Sequence, residues 1–108
     1  NEDALKAILK KPKNALLKQY IALLEMDGVV LEFDDHAVSA IAKLAMDRET
    51  GARGLRTIVE DIMLDVMYEV PSDPDVSKVI ITEGCVKKKT KAQIVYRNND
   101  TVVQKNVG

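Results

Sequence analysis

Aromatic residues and cysteine are scarce in this sequence. Only 4% of the 108 residues are aromatic and none is tryptophan, so a core must be built from Leu, Ile, Val, Ala and Met. Hydrophobic residues make up 46%, which is enough for one packed core in a chain of this length. Cys85 is the only cysteine, which rules out an internal disulfide and a zinc site made of thiolates. We therefore expect a reducing compartment, the cytoplasm.

An excess of positive charge is also missing. The 16 Lys and Arg residues balance 17 Asp and Glu residues, giving a net charge of -1. A nucleic-acid-binding surface needs a basic excess, so no nucleic-acid partner is expected. No apolar run approaches the roughly 18 residues of a membrane span, and the acidic start Asn1-Glu2-Asp3 is unlike a signal peptide. We expect neither membrane association nor secretion.

Apolar residues recur at helical spacing in four segments. The spacing predicts helices over about residues 3–10, 12–26 and 36–47, and a fourth helix that contains Leu55 to Met67. Pro12 suits a first helical turn, Gly28 a helix end, and Asp34 or Asp35 an N-cap. The residues predicted to face the core are Leu16, Leu17, Tyr20, Ile21, Leu23 and Leu24, then Ala37, Val38, Ile41, Ala42, Leu44 and Ala45, then Leu55, Ile58, Val59, Ile62, Met63, Val66 and Met67.

Three short β-type runs accompany these helices, at residues 29–33, 78–82 and 92–96. Together the elements predict an α+β fold, mainly helical, with about four helices and a small sheet of about three short strands. We expect residues 1–96 to form this single domain and residues 97–108 to form a flexible C-terminal tail.

The most unusual local pattern is Thr50-Gly51-Ala52-Arg53-Gly54-Leu55-Arg56, at the entry to the fourth helix. Glycine lets a backbone approach a ligand closely, and the unpaired amides of a helix N-terminus favour an anion. An arginine at that end is unfavourable for the helix alone, but it can hold phosphate oxygens with a planar pair of donors. Residue chemistry leaves two interpretations open: an anion site, or a glycine-rich turn with a solvated arginine.

The remaining polar residues do not predict an active site. His36 has no second histidine or cysteine to form a metal site with, so we expect a surface residue. Glu60, Asp61 and Asp65 fit the solvated face of the fourth helix. The run Lys87-Lys88-Lys89 fits a solvated turn, with an acidic partner as the alternative. Phosphate-binding G-x-x-x-x-G-K-[ST] and nucleophile G-x-S-x-G motifs do not occur, so a complete small enzyme is not predicted.

Several motifs of this chain resemble a known family. They are Pro12-Lys13-Asn14-Ala15-Leu16, Lys18-Gln19-Tyr20, the segment from Gly28 to Phe33, Gly51-Ala52-Arg53-Gly54-Leu55-Arg56, and Met67-Tyr68 before Pro71. In this order and spacing they resemble the C-terminal small domain of the ClpX family of AAA+ protein unfoldases, over about residues 1–96. The related HslU unfoldases share the G-A-R motif but fit the earlier segments less well.

The resemblance implies a function that residue chemistry alone does not. It implies that Arg53 is the sensor II arginine, which reaches the nucleotide bound mainly by the large domain of the same subunit. It also implies that Ala52 lies near the adenine and that Arg56 is less involved in contact with the phosphates. ATP or ADP with magnesium belongs to the full-length protein, and no cofactor is expected in this chain alone. The implied partners are the large AAA+ domains of the same and the adjacent subunit in a hexameric ring and, through the full machine, the ClpP peptidase and protein substrates.

Two functional hypotheses follow. In the first, the chain is the C-terminal small domain of a ClpX-like ATP-dependent unfoldase, the ATP-binding subunit of a Clp protease, with no activity in isolation. In the second, it is a stand-alone interaction module that binds anionic or phosphorylated ligands through Arg53 and Arg56.

Overall fold

A computed structural model describes residues 1–10, 15–70, 74–97 and 102–103 of the chain. In these ranges the helices are α1 (Glu2–Lys10), α2 (Ala15–Glu25), α3 (Asp35–Asp47), α4 (Ala52–Glu69) and the single turn α5 (Glu83–Val86). The strands are β1 (Val30–Phe33), β2 (Val76–Ile81), β3 (Gln93–Tyr96) and β4 (Val102–Val103). The α+β prediction is confirmed.

The strands form one sheet in the order β1-β2-β3-β4. The pair β1 and β2 is parallel, with Val30 opposite Lys78 and Phe33 opposite Ile81. A parallel pair needs a long crossover, and here α3 and α4 supply it. The pairs β2–β3 and β3–β4 are antiparallel. The crossover helices and the strand β2 contribute the most deeply buried side chains of the core: Ile41, Ala42, Val59, Val66, Val79 and Ile81.

The helix ends within the described ranges follow local sequence signals. α3 begins after Asp34, whose carboxylate accepts a hydrogen bond from the backbone N–H of His36 at 2.6 Å. This confirms the predicted N-cap, which satisfies one of the free amides of a first helical turn. Gly28, after α2, has a φ of +76°, which glycine adopts at little cost. The predicted helix start at Pro12 and the predicted stop at Pro71 lie outside the described residues.

Two residues predicted to face the core are exposed. Leu23 on α2 is 46% exposed and Met67 on α4 is 43% exposed, whereas their neighbours Leu24 and Val66 are buried. In both helices one residue of an adjacent apolar pair points inward and the other outward, because consecutive residues of a helix lie about 100° apart. The apolar spacing therefore assigned one residue too many to the buried side of each helix at these positions.

Two short elements were not predicted. Thr82 was assigned to the end of a strand, but its hydroxyl accepts a hydrogen bond from the Cys85 backbone N–H and caps α5. Val102 and Val103, which were placed in the tail, pair with Val95 and Ile94 of β3. The division at residue 96 and the flexibility of the tail stay predictions, and residues 98–101 and 104–108 lie outside the described ranges.

Candidate functional site

The corner between α3 and α4 has an unusual backbone. Glu49 adopts a left-handed φ of +57°, and the Thr50 N–H donates to the Ala45 carbonyl at 3.2 Å, so α3 ends in a Schellman-type cap. Gly51 then has φ +59° and ψ −144°, a conformation that is accessible essentially to glycine alone. The first glycine of the motif is therefore required by the turn itself.

Gly54 is required by packing. A Cβ atom placed on Gly54 would lie 1.7 Å from Thr50 Oγ1 and 2.5 Å from Thr50 Cβ, so the side chain of Thr50 occupies the space that any larger residue would need. Gly54 is itself buried. Close approach to a ligand is not needed to explain this glycine, contrary to one of the reasons given for the motif in the sequence analysis.

Ala52 and Arg53 are exposed in the first turn of α4, and Arg56 is exposed one turn further along. Among the described residues neither arginine forms a hydrogen bond or an ion pair. The first turn carries no acidic residue, and Gly51 provides no side-chain cap. Two guanidinium groups and the positive end of an 18-residue helix thus meet at one place. Chemically, this arrangement can bind an anion.

Cys85 is not a nucleophile in this fold. Its side chain is buried on α5, and burial, followed by the nearby carboxylates of Glu69 and Asp65, raises the pKa of the thiol to about 11. A reactive cysteine needs an accessible thiolate, and at neutral pH this residue is a protonated thiol. His36 is exposed in the first turn of α3, in agreement with the predicted surface residue.

The acidic face of α4 and the basic run are joined, which the sequence analysis did not predict. Lys88 Nζ lies 3.0 Å from Asp61 Oδ2 and 2.6 Å from Asp65 Oδ2. Hydrogen bonds to Asp65 and then Asp61 raise the pKa of Lys88 above its ordinary 10.5. Both carboxylates are exposed, as predicted, but they hold the turn after α5 on the surface of α4. No local pattern signals this pairing, because its partners are 23 and 27 residues apart.

Metal ligands and membrane helices are not found in the described part of the chain. No group of three His, Cys, Asp or Glu residues there is arranged to hold a metal ion. None of its helices is both long enough and apolar enough to cross a membrane.

A second notable surface is apolar. Tyr68 is 91% exposed and Leu64 is 71% exposed at the C-terminal half of α4. Met67, which is 43% exposed, lies on the same side of α4, because residues three and four apart are neighbours on the surface of a helix. We call Leu64, Met67 and Tyr68 the apolar face. Large exposed apolar side chains that cluster in this way are typical of a surface that another molecule covers.

The chain is similar to known proteins over most of its length. Residues 1–83 match the family described as the C-terminal, D2-small domain, of ClpB protein. The chain is also 45% identical over 95 residues to the protein of Wolinella succinogenes named ATP-dependent Clp protease ATP-binding subunit ClpX 2. That similarity covers 88% of this chain but 24% of the relative, so the chain spans about a quarter of the length of the relative that it matches.

Proposed function

Because this chain belongs to the family of C-terminal small domains of Clp-type AAA+ ATPases, we propose that it contributes Arg53 to a nucleotide site as the sensor II residue. Arg53 reaches the phosphates of ATP or ADP, which a large domain of the same subunit holds together with magnesium, and Ala52 lies near the adenine. One observation carries the proposal: Arg53 is exposed, has no partner among the described residues, and lies at the uncapped start of α4.

The chemistry of such a contact follows from the arginine. A guanidinium group donates charge-assisted hydrogen bonds to phosphate oxygens, and these are stronger than hydrogen bonds between neutral groups. The bonds weaken when a phosphate leaves, so Arg53 loses its hold on the nucleotide. The small domain then turns relative to the large domain, as in other hinge-type switches. In this way one side chain reports the state of the nucleotide to the rest of the subunit.

The apolar face supports the second part of the proposal, that the domain packs on a neighbouring subunit. Tyr68 and Leu64 are too exposed to stabilise the chain by themselves, and contact with a large domain removes them from water. Several such contacts close a hexameric ring. The ClpP peptidase and protein substrates are then partners of the whole machine.

The Arg53→Ala substitution in the full-length ATPase tests the nucleotide role. Loss of a hydrogen bond to a charged group costs about 1.5–3 kcal/mol, which corresponds to nucleotide binding that is about 10- to 100-fold weaker. ATP-coupled unfolding of a substrate protein is lost, while the melting temperature of the 108-residue chain does not fall, because Arg53 has no partner among the described residues and its charge is unfavourable at the start of a helix. The matched control is Arg56→Ala, one turn away on the same helix. Unchanged ATPase and unfolding rates in Arg53→Ala contradict the proposal.

The alternative function, a stand-alone module for anionic or phosphorylated ligands, is favoured by two exposed arginines three residues apart on α4, neither of which has a partner among the described residues. It predicts that the isolated chain binds a phosphopeptide in calorimetry and that Arg53→Ala and Arg56→Ala weaken binding equally. The ATPase proposal predicts no such binding. Weak binding of ATP to the isolated chain agrees with both hypotheses, because most of the nucleotide site lies in another domain.

A further inference from the structure

We propose that Thr50 is a positioning residue for Arg53: its side chain, held between the end of α3 and Gly54, fixes the first turn of α4 and so the point at which the Arg53 side chain leaves the helix. The inference rests on the proposed nucleotide role of Arg53. It gives the threonine before the glycine–arginine motif a function, and it explains why position 54 carries no side chain.

The α3 side of this contact fixes the position of Thr50. Its backbone N–H donates to the Ala45 carbonyl at 3.2 Å, and its hydroxyl lies 3.4 Å from the same oxygen. Ala45 is fully buried in the core, so Thr50 is attached to a rigid part of the domain. Of these two contacts, the backbone one is independent of the side chain and the hydroxyl one is not.

The α4 side of the contact explains the dependence of Arg53. A Cβ atom at Gly54 would lie 1.7 Å from Thr50 Oγ1, so the Thr50 hydroxyl rests directly against the backbone of the first turn. Gly51 has no side chain with which to cap this turn, and the Gly54 N–H donates to the Gly51 carbonyl at 3.0 Å. Arg53 lies between these two glycines.

No other described contact orients Arg53. Its side chain is exposed and has no hydrogen-bond or ion-pair partner in the described ranges, so only the backbone that carries it fixes the point at which the side chain leaves the helix. Glycines on both sides make that backbone intrinsically free. The Thr50 side chain restricts the backbone of the first turn before the nucleotide binds. The protein then loses less conformational entropy on binding.

The contact itself is tested by a coupled pair of substitutions in the 108-residue chain. Gly54→Ala lowers the melting temperature, because the new methyl group overlaps Thr50. The same substitution is less destabilising when Thr50→Gly has already removed the overlapping atoms. Equal losses in the two backgrounds show that Thr50 and Gly54 are independent, and they overturn the inference.

The functional consequence is tested in the full-length ATPase with ATP as the ligand. Thr50→Ala removes the hydroxyl and weakens ATP binding about three- to tenfold, the amount expected for one lost hydrogen bond and a looser first turn. Thr50→Ser keeps the hydroxyl and retains most of the affinity. Thr57→Ala is the matched control, since Thr57 is exposed on the same helix.

A double-mutant cycle separates positioning from general destabilisation. In an Arg53→Ala background, Thr50→Ala causes no further loss of ATP affinity if Thr50 acts through Arg53. A further loss of the same size, or normal affinity in Thr50→Ala alone, overturns the inference while the proposed function stands. Unchanged affinity in Arg53→Ala alone refutes the proposed function and this inference with it.

Discussion

At the scale of single residues, the threonines before and after α5, Thr82 and Thr90, differ in whether the hydroxyl group has a hydrogen-bond partner. The Thr82 hydroxyl accepts a hydrogen bond from the Cys85 N–H at 3.3 Å. The Thr90 hydroxyl is buried and has no hydrogen-bond partner in the described part of the chain, and it lies so close to Gly84 that a Cβ atom there would be 2.5 Å from it. A buried hydroxyl without a partner costs free energy of folding, because it has lost its bonds to water.

Thr90→Val therefore stabilises the chain, by about 1 kcal/mol in the free energy of unfolding, since it replaces the unsatisfied hydroxyl with a methyl group of similar shape. Chemical denaturation of the 108-residue chain measures this. Thr82→Val is the matched control and has the opposite sign: loss of an N-cap costs about 1 kcal/mol. Destabilisation of both variants to the same extent shows that the Thr90 hydroxyl has a partner after all.

The candidate site shows which residues a sequence can identify. Arg53 was identified because glycine and arginine at a helix start form a local pattern. The family resemblance gave Arg53 a proposed role and added Ala52, and both roles still stand as proposals. The contact of Thr50 with Gly54 was not foreseen. Gly51 lies between them and turns the backbone with its positive φ, and a glycine in the sequence does not state which side chain such a turn brings against Gly54.

At the scale of elements, predictability followed length and local signals. α3 and α4 were predicted because their apolar spacing extends over several turns and, in α3, Asp34 marks the start. α5 and β4 are four and two residues long, too short to show a period. β4 exists through pairing with β3, a contact that local sequence does not encode. The prediction that Leu23 and Met67 face the core was wrong for a related reason. Apolar spacing identifies the buried side of a helix but does not show which residues lie at the edge of that side.

The turn after α5 depends on a contact of the same non-local kind. Lys88 has a left-handed φ of +61°. With this backbone conformation its ammonium group contacts Asp61 and Asp65 on α4. The two carboxylates are four residues apart on α4, where like charges repel each other. Lys88 thus neutralises a repulsion within one element and attaches another element to it.

Lys88→Met is expected to lower the free energy of unfolding by about 1 kcal/mol at neutral pH, the upper end for exposed ion pairs, because the two carboxylates are left facing each other. The raised pKa of Lys88 fixes the pH dependence. Its contribution is complete below the unfolded value of 10.5 and is lost as pH rises through the higher folded value. The stability difference between the wild type and Lys88→Met therefore shrinks in strongly alkaline solution.

Denaturation curves at neutral pH and above pH 10.5 measure this difference, and added salt reduces it because the ion pair is exposed. Lys89→Met is the matched control, since it removes the same charge from the next residue of the turn. If Lys89→Met is as destabilising as Lys88→Met, net charge and not the ion pair is responsible.

At the scale of the whole molecule, the arginines at the start of α4 and the apolar face at its end are exposed to solvent in the described part of the chain. One 18-residue helix carries both, so a movement of α4 at the end that carries Arg53 also moves the apolar face. In the proposed ring this connects the nucleotide of one subunit with the contact to the next. Substitution of Arg53 is expected to lower nucleotide affinity, whereas substitution in the apolar face is expected to weaken assembly of the ring.

The double substitution Leu64→Ser with Tyr68→Ser tests the apolar face. Both side chains are largely exposed, so the free energy of unfolding of the 108-residue chain changes by no more than about 0.5 kcal/mol. In the full-length ATPase the same substitutions remove apolar area from the subunit contact, and the hexamer fraction in light scattering falls at low protein concentration. Met26→Ser with Met46→Ser is the control, because these exposed methionines lie outside the apolar face. If the doubly substituted ring is as stable as the wild-type ring, the subunit contact lies elsewhere on the domain. If assembly is lost while each subunit binds ATP with normal affinity, the apolar face acts in subunit contact and not in nucleotide binding, which is the role proposed for Arg53 at the other end of the helix.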